Sequence, residues 1–289
     1  MVLIRLSASS KIERSIVDIH RFPVEEITVS DLSDGIILEM TVNEEERYKI
    51  MAEQDWIKEQ QLVPLLAYVL SHGDVKKLLS KETENFSEAS LKTLREAGRL
   101  RVSNFSCSTV RPQHLAILEK GAPGVIKSAL MGGEGVIPLE KFIDFESVSK
   151  VEKWRLFMPP LETASLIARK WLGGTFEIGT RVDMEGEDGG RLNMFRDDFQ
   201  DRIMLEGERF IRIRTENPER DICLENIGQR VGHENFVMIV MPAAMVRGSK
   251  KYMKFIEREN EMEVDFDAYA RALNMQQNMF QELMGRRLP

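Results

Sequence analysis

Cysteine is almost absent from this chain of 289 residues. Only Cys107 and Cys223 occur, and neither belongs to a CxxC pair. A disulfide framework and a zinc site are therefore not indicated, and both thiols are expected to be free and reduced.

Long apolar runs are also missing, since none reaches the ~18 residues of a membrane span and the run at the start is too short for a signal peptide. The sequence thus predicts neither export nor a membrane span.

A strong excess of charge of either sign is lacking as well. Lys and Arg total 40, Asp and Glu total 47, and the formal net charge is -7. The two signs are interspersed along the chain rather than gathered into blocks. Because a dedicated DNA- or RNA-binding protein needs a basic surface, this balance argues against one. Hydrophobic residues make up 43% of the chain, which is enough for a packed core.

Motifs for catalysis and cofactor binding are missing. Gly132-Gly-Glu-Gly135 and Gly173-Gly174 are not phosphate-binding loops, because neither is followed by Lys-Ser/Thr and neither forms GxGxxG. No GxSxG motif occurs. The four histidines lack a second ligand at metal-binding spacing: His20, His72, His114 and His233. We therefore predict no catalytic residue, no cofactor-binding residue, no metal ligand and no cofactor, and a protein that is not an enzyme. A triad assembled from distant residues stays open.

The acidic segment 183–190 combines carboxylates and glycines, a composition that can bind calcium. Its spacing differs from that of an EF-hand loop, because Asp188 takes the sixth position and Met194 the twelfth. A solvated hairpin tip is the preferred interpretation.

The first part of the chain is predicted to contain extended structure and helices, without an internal repeat. An arm and a hairpin with a turn at Asp34-Gly35 are followed from Glu44 by a helical pattern that Pro64 interrupts and His72-Gly73 ends. Helices are expected at 87–97, with Ser87 as N-cap, and at 112–120, opened by a proline, on either side of a strand at 101–107. Five glycines make residues 121–135 a long mobile loop, expected at an intersubunit contact.

Strands dominate the rest of the chain, until a helical pattern returns in the last fifty residues. They are expected at 142–148, 151–158, 164–171, 175–184, 203–205, 209–214, 221–224 and 236–240. In the 209–214 strand, Ile211 and Ile213 should be buried while Arg212 and Arg214 are solvated. Arginines that could face phosphate are Arg209, Arg212, Arg214 and Arg220. Ion pairs with interleaved carboxylates are the preferred alternative: Glu206, Glu208, Glu216 and Glu219.

This order of elements resembles the major capsid protein of tailed bacteriophages, the Hong Kong ninety-seven-type fold shared with encapsulin shells. Segment 198–218, which reads DFQDRIMLEGERFIRIRTENP, is similar to the late strand pair of that family. Residues 100–118 look like its axial-domain strand and helix, and residues 154–170 like its strand, proline turn and strand. The chain departs from the family after Asp221, where some sixty further residues follow.

The resemblance implies an α+β fold of phage-capsid type with a C-terminal helix added. Its parts would be an N-terminal arm and extended hairpin at 1–43, a spine-helix region of the peripheral domain at 44–85, an axial-type α/β domain at 86–172 with the Gly-rich loop 121–135, a strand-rich region at 173–241 and a C-terminal helical extension at 242–289.

The resemblance also implies a structural shell subunit of a virion that self-assembles into a phage capsid as a large homo-oligomer. Its partner would be itself, in capsomers, with scaffold or other virion proteins as further candidates. Packaged nucleic acid would lie nearby without specific binding, and no membrane would be involved. Assembly would take place in the host cytoplasm. Two alternatives stay open, a nucleic-acid-associated viral nucleoprotein that uses the 209–220 arginines and an enzyme with an unrecognised site.

Overall fold

The computed structural model describes eleven stretches of the chain. These are residues 22–32, 35–43, 46–52, 61–81, 85–132, 140–143, 145–148, 151–174, 176–186, 189–230 and 233–256. The chain divides into two compact units, Met1–Ala244 and Met245–Pro289. The predicted 1–21 part of the arm and most of the predicted C-terminal helix lie outside the described residues.

Strands and helices alternate through the first unit. The strands are β1 (Phe22–Leu32), β2 (Gly35–Thr41), β3 (Arg47–Ala52), β4 (Gly73–Lys81), β5 (Val102–Cys107), β6 (Ser128–Gly132), β7 (Lys153–Phe157), β8 (Arg181–Gly186), β9 (Ile203–Gly207), β10 (Phe210–Arg214), β11 (Arg220–Arg230) and β12 (His233–Pro242). The helices are α1 (Val63–His72), α2 (Glu88–Glu96), α3 (Pro112–Lys120), α4 (Glu140–Ile143), α5 (Thr163–Leu172) and α6 (Arg191–Asp198), and the second unit contains α7 (Lys250–Ile256).

All these strands form one sheet of 12 strands, in the order β3-β2-β1-β4-β5-β6-β7-β8-β12-β11-β10-β9. The central strands β1 and β4 to β8 run parallel to one another. β2 and β3 add antiparallel strands at one end, and β12, β11, β10 and β9 do so at the other. The coarse expectation of an α+β chain is confirmed, and the sheet runs across the predicted boundaries after residues 43, 85 and 172.

The parallel strands are built as a solenoid. Each strand from β4 to β7 is followed by one helix and then by the strand that lies next to it in the sheet. Because such crossovers share one hand and always advance in the same direction, their helices line up on one face. Neighbouring helices from α1 to α4 contact one another in sequence order. The core therefore lies between this helical layer and one face of the sheet.

A short apolar pattern recurs in the parallel strands about every 25 residues. Val75-x-x-Leu78-x-Ser80 in β4 is followed by Val102-x-x-Phe105-x-Cys107 in β5, and the first, fourth and sixth residues point into the core. In-register pairing stacks the fourth residues into one buried row: Ile27, Leu78, Phe105, Ala129, Trp154 and Val182. The prediction of no internal repeat is therefore wrong. The repeat is hidden because residues of different size and polarity fill equivalent positions.

Several local predictions are confirmed. Ser87 caps α2 by accepting a hydrogen bond from the Ser90 amide at 3.2 Å. A proline opens α3, α1 ends at Gly73, and the 101–107 strand is β5. The hairpin predicted within residues 1–43 is β1 with β2.

The long helix predicted from Glu44 is not formed over residues 47–52, which are strand β3. Tyr48 and Ile50 are half-buried there while Arg47 and Lys49 are exposed, a period of two that fits an edge strand. Helix α1 spans Val63–His72, with Pro64 in its first turn, and residues 53–60 lie outside the described residues.

Residues 121–135 are not a continuous loop, because residues 128–132 form the buried strand β6. A Cβ atom on Gly132 would lie 1.6 Å from the Ser108 carbonyl oxygen, so this glycine is required by close packing of two backbones. The expectation that residues 121–135 are mobile at an intersubunit contact is thus wrong for the β6 part. Gly133 and Gly135 lie outside the described residues.

One predicted strand is a helix, another begins in a helix and continues as a turn, and the acidic segment is not a hairpin tip. The predicted strand at 164–171 is helix α5, whose residues Ala164, Ile167, Ala168 and Trp171 are buried. The predicted strand at 142–148 begins in helix α4. Segment 183–190 leads from β8 into helix α6 rather than into a second strand. Of the predicted 175–184 strand, only the part from Arg181 onward is β8. Within the described residues, no helix combines the length and the apolar character needed to cross a bilayer.

Candidate functional site

A serine and a histidine lie together in the core, as a nucleophile and its base would. Ser80 ends the apolar pattern of β4, and His114 occupies the first turn of α3. Ser80 Oγ and His114 Nε2 are 2.7 Å apart, and both residues are buried. The two residues are brought together by the fold although 34 positions separate them.

The hydrogen bonds of His114 argue against a catalytic dyad. The Arg111 amide donates to His114 Nδ1 at 2.9 Å, so Nδ1 must accept and Nε2 must carry the proton. Nε2 then donates to Ser80 Oγ and cannot remove its proton. Burial lowers the pKa of His114 to about 3, although a hydrogen bond with the Thr109 backbone opposes the shift. His114 is therefore a neutral structural residue that satisfies a serine in an apolar row.

Both cysteines are buried and neither forms a disulfide, as predicted. Burial raises the pKa of the Cys107 thiol to about 12, against the opposing effect of a hydrogen bond with the Gly132 backbone. Since the thiolate is the reactive form, Cys107 lacks the character of a nucleophile.

The two described carboxylates of the acidic segment, Asp183 and Glu185, form ion pairs with arginines on neighbouring positions of the sheet. Arg181 lies 2.7 Å from Asp183, and Arg155 lies 3.4 Å from Glu185. Among the described residues, no group of three or more His, Cys, Asp or Glu side chains is placed to hold a metal ion. Asp188 is outside the described residues.

The four arginines considered for phosphate binding do not form one surface. Arg212 donates from Nε to Asp221 at 2.7 Å and from Nη2 to the carbonyls of Pro242 and Ala243. Both partners of the Arg212–Asp221 pair expose only 9% of their side chains, so the prediction that Arg212 is solvated is wrong. Ile211 and Ile213 are fully buried, as predicted.

The other three arginines bind neutral groups rather than the interleaved glutamates. Arg209 donates to the Asn226 side chain, Arg214 to the Asp201 carbonyl, and Arg220 to the Phe176 carbonyl. The ion pair expected for Glu206 is formed instead with Arg196 of α6 at 2.8 Å.

A buried arginine that sequence analysis missed is Arg191, at the start of α6. It donates from Nη1 to the Pro160 carbonyl at 2.9 Å and from Nη2 to the Pro159 carbonyl at 3.0 Å. Its guanidinium lies 5.5 Å from the centre of the Phe236 ring. These hydrogen bonds from Arg191 stabilise the loop after β7, in which Met158 adopts a positive φ of 51°. In the sequence, the pair Pro159-Pro160 marks this loop, but nothing nearby indicates that Arg191 will donate hydrogen bonds to its carbonyls.

The face of the sheet opposite α1 to α6 carries in-register rows of mainly polar residues, which we call the polar face. One row crosses the parallel strands through Glu26, Lys77, Asn104, Ser128, Lys153 and Arg181. The next row contains Thr28, Leu79, Ser106, Leu130, Arg155 and Asp183. Equivalent positions in successive repeats thus place chemically different side chains side by side.

No protein-family model matches this sequence, and comparison with curated proteins gives no match.

Charge on the polar face is mixed and unevenly exposed. Glu26 and Lys77 pair at 3.0 Å and keep 38% and 34% of their side chains exposed. Lys153 is exposed and has no ion pair among the described residues, whereas Ser128 and Leu130 are buried. Ser128 Oγ donates to Asn104 Oδ1 at 2.5 Å, which links neighbouring residues at the centre of the first row. The accessible cationic groups are therefore separate points rather than one basic patch.

Proposed function

We propose that this protein is a non-enzymatic binding protein whose polar face recognises a protein partner. The observation that carries the proposal is the row of in-register polar residues across six parallel strands, in which Lys153 is exposed and Lys77 is half-buried. Solenoids of strand-and-helix units use such repeated surfaces for binding, and the spacing of about 25 residues falls in the range of about 20–29 residues of leucine-rich repeats.

A protein partner fits the charge of this face better than a nucleic acid does. The ion pairs Glu26–Lys77, Arg155–Glu185 and Arg181–Asp183 place charges of both signs next to one another on this face. A phosphate backbone would be repelled by the carboxylates, whereas a protein surface can present complementary charges of both signs. The formal net charge of -7 acts in the same direction.

Site-specific photocrosslinking tests the proposal in extracts of cells that express the chain. A photoreactive residue replaces Lys77 or Lys153 on the polar face, and exposed Lys92 of helix α2 is replaced as the matched control. We expect one discrete protein adduct from positions 77 and 153, absent from position 92 and reduced when the other lysine is changed to Glu. Equal adducts from all three positions, or adducts only with nucleic acid, would contradict the proposal.

The self-assembling capsid subunit, with its capsid-type fold and virion location, is a second proposal. It is favoured by the exposed apolar residues of edge strand β9, which are suited to contacts between copies. Size-exclusion chromatography with electron microscopy tests it on the full chain. Closed shells or capsomers would support a shell subunit, and a monomer or an isolated dimer would rule it out.

The two remaining alternatives have no supporting observation among the described residues. A nucleoprotein would use Arg212, which is buried against Asp221. An enzyme would use the Ser80–His114 pair, in which the histidine is the donor.

A further inference from the structure

The free edge of β9 is the least protected strand edge of the described sheet. β9 lies at one end of the strand order and pairs only with β10 among the described strands. Its Met204 and Leu205 side chains are 59% and 44% exposed. Unpaired backbone amides and carbonyls flanked by exposed apolar side chains form a template for another strand.

The opposite edge shows how such an edge is normally protected. β3 presents Arg47 and Lys49 to solvent, and Lys49 pairs with Glu39 at 3.1 Å. Charged residues, Lys in particular, discourage pairing with another strand. β9 contains a single charged residue, Glu206, and Arg196 holds it at 2.8 Å. The protection of β3 is therefore absent from β9.

We propose that β9 pairs antiparallel with β9 of a second copy of this chain, about a two-fold axis at Leu205. Centred there, all five residues of each strand are paired, Leu205 faces Leu205 of the other copy, and Met204 faces Glu206. Moving the centre to Glu206 would place two glutamates directly opposite each other, which is destabilising. Moving it to Met204 would leave fewer strand residues paired.

The charges that flank β9 are complementary in this arrangement. Residues at equal distance from Leu205 carry opposite signs, since Arg202 matches Glu208 and Asp201 matches Arg209. A two-fold contact uses the same surface on both copies and therefore needs such self-complementarity. The result is one sheet that continues from one copy into the other.

A cysteine crosslink tests this register directly. In the proposed dimer, position 205 is the one β9 position that faces itself, so Leu205→Cys should form a disulfide-linked dimer under mild oxidation. Met51→Cys on edge strand β3 is the matched control, because Met51 is 46% exposed and should not link. The native Cys107 and Cys223 are buried and should not interfere.

The mass of the protein in solution provides the second readout. We expect a dimer by sedimentation for the wild type, and loss of that dimer in Leu205→Lys at the same concentration with an unchanged circular dichroism spectrum. Leu205→Cys should crosslink by itself. A mixture of the Met204→Cys and Glu206→Cys proteins should crosslink as well, because these two positions face each other. The proposal is overturned if Leu205→Cys links no faster than Met51→Cys, or if the wild type and Leu205→Lys have the same mass. These outcomes are independent of partner binding, which the Lys77 and Lys153 variants measure.

Discussion

Individual polar residues in this core are satisfied by partners that are remote in the chain. His114 bonds Ser80 of a different repeat, and Arg212 bonds Asp221 and two carbonyls at the end of β12. Such groups are retained in a low-dielectric interior only when their hydrogen bonds are made. Their substitution should therefore affect stability rather than binding.

The buried neutral state of His114 makes stability dependent on pH. Because the pKa of His114 is about 3 in the folded chain and 6.5 is the ordinary pKa of a histidine, the unfolded state binds the proton first as the pH falls. The stabilisation is complete above pH 6.5 and is lost as the pH falls toward 3, at no more than ~1.4 kcal/mol per pH unit. Urea denaturation at several pH values should show a flatter profile for His114→Gln than for the wild type. Parallel profiles would show that this residue does not set the dependence.

Removal of the Arg212 guanidinium should leave Asp221 as an uncompensated buried charge. We expect Arg212→Ala to lower the free energy of unfolding by about 3–5 kcal/mol in denaturant titrations. Arg209→Ala is the matched control, because Arg209 is exposed and its side chain donates to the neutral Asn226 side chain, and it should leave stability nearly unchanged. The double change Arg212→Leu with Asp221→Leu should recover much of the loss. Equal effects of the two single variants would contradict the buried pair.

At the scale of single elements, strand β6 shows how a glycine can be required inside a strand. Gly132 lies against the Ser108 backbone, where even a methyl group would clash, whereas Gly98 after α2 has only the Ser71 Cβ within 4 Å, at 3.7 Å. Gly132 is therefore required by its contact with the Ser108 backbone, and the residues next to it in the sequence do not indicate this contact.

Gly132→Ala should consequently impair folding rather than assembly. We expect a loss of about 1–3 kcal/mol in the free energy of unfolding, since overpacking forces backbone shifts. Gly98→Ala, the control, should change it by less than ~1 kcal/mol. Thermal and urea denaturation of both variants provide the measurement. A Gly132→Ala protein as stable as Gly98→Ala would show that β5 and β6 do not approach as closely as described.

The sequence of helix α5 contains a helical period of apolar residues, but it also fits a short strand. Ala164, Ile167, Ala168 and Trp171 are buried at intervals of three and four, which is the helical period. The same stretch also reads as a short apolar run between a proline turn and a glycine pair. Because short apolar runs fit both helix and strand, the choice depends on what covers them.

At the scale of the whole molecule, the sheet connects the parallel solenoid to an antiparallel end. The buried row of β4 to β8 continues from Val182 to Met238 of β12 and then to Leu224 of β11. Helices α5 and α6 contact β11 and β10, so the helical layer extends beyond the solenoid. The polar face and the β9 edge are thus separate surfaces of one sheet.

Features that depend only on neighbouring residues could be predicted from the amino-acid sequence. The Ser87 cap, the prolines of α1 and α3, and the alternation of Ile211 and Ile213 could all be recognised because caps and periodicity act within a few positions. The order of strands, the repeat and the burial of Arg212 were decided only by tertiary structure. Each depends on pairing between distant segments, such as the hydrogen bond from Arg212 to the Ala243 carbonyl 31 positions away. A local sequence pattern does not indicate which distant group will be the partner.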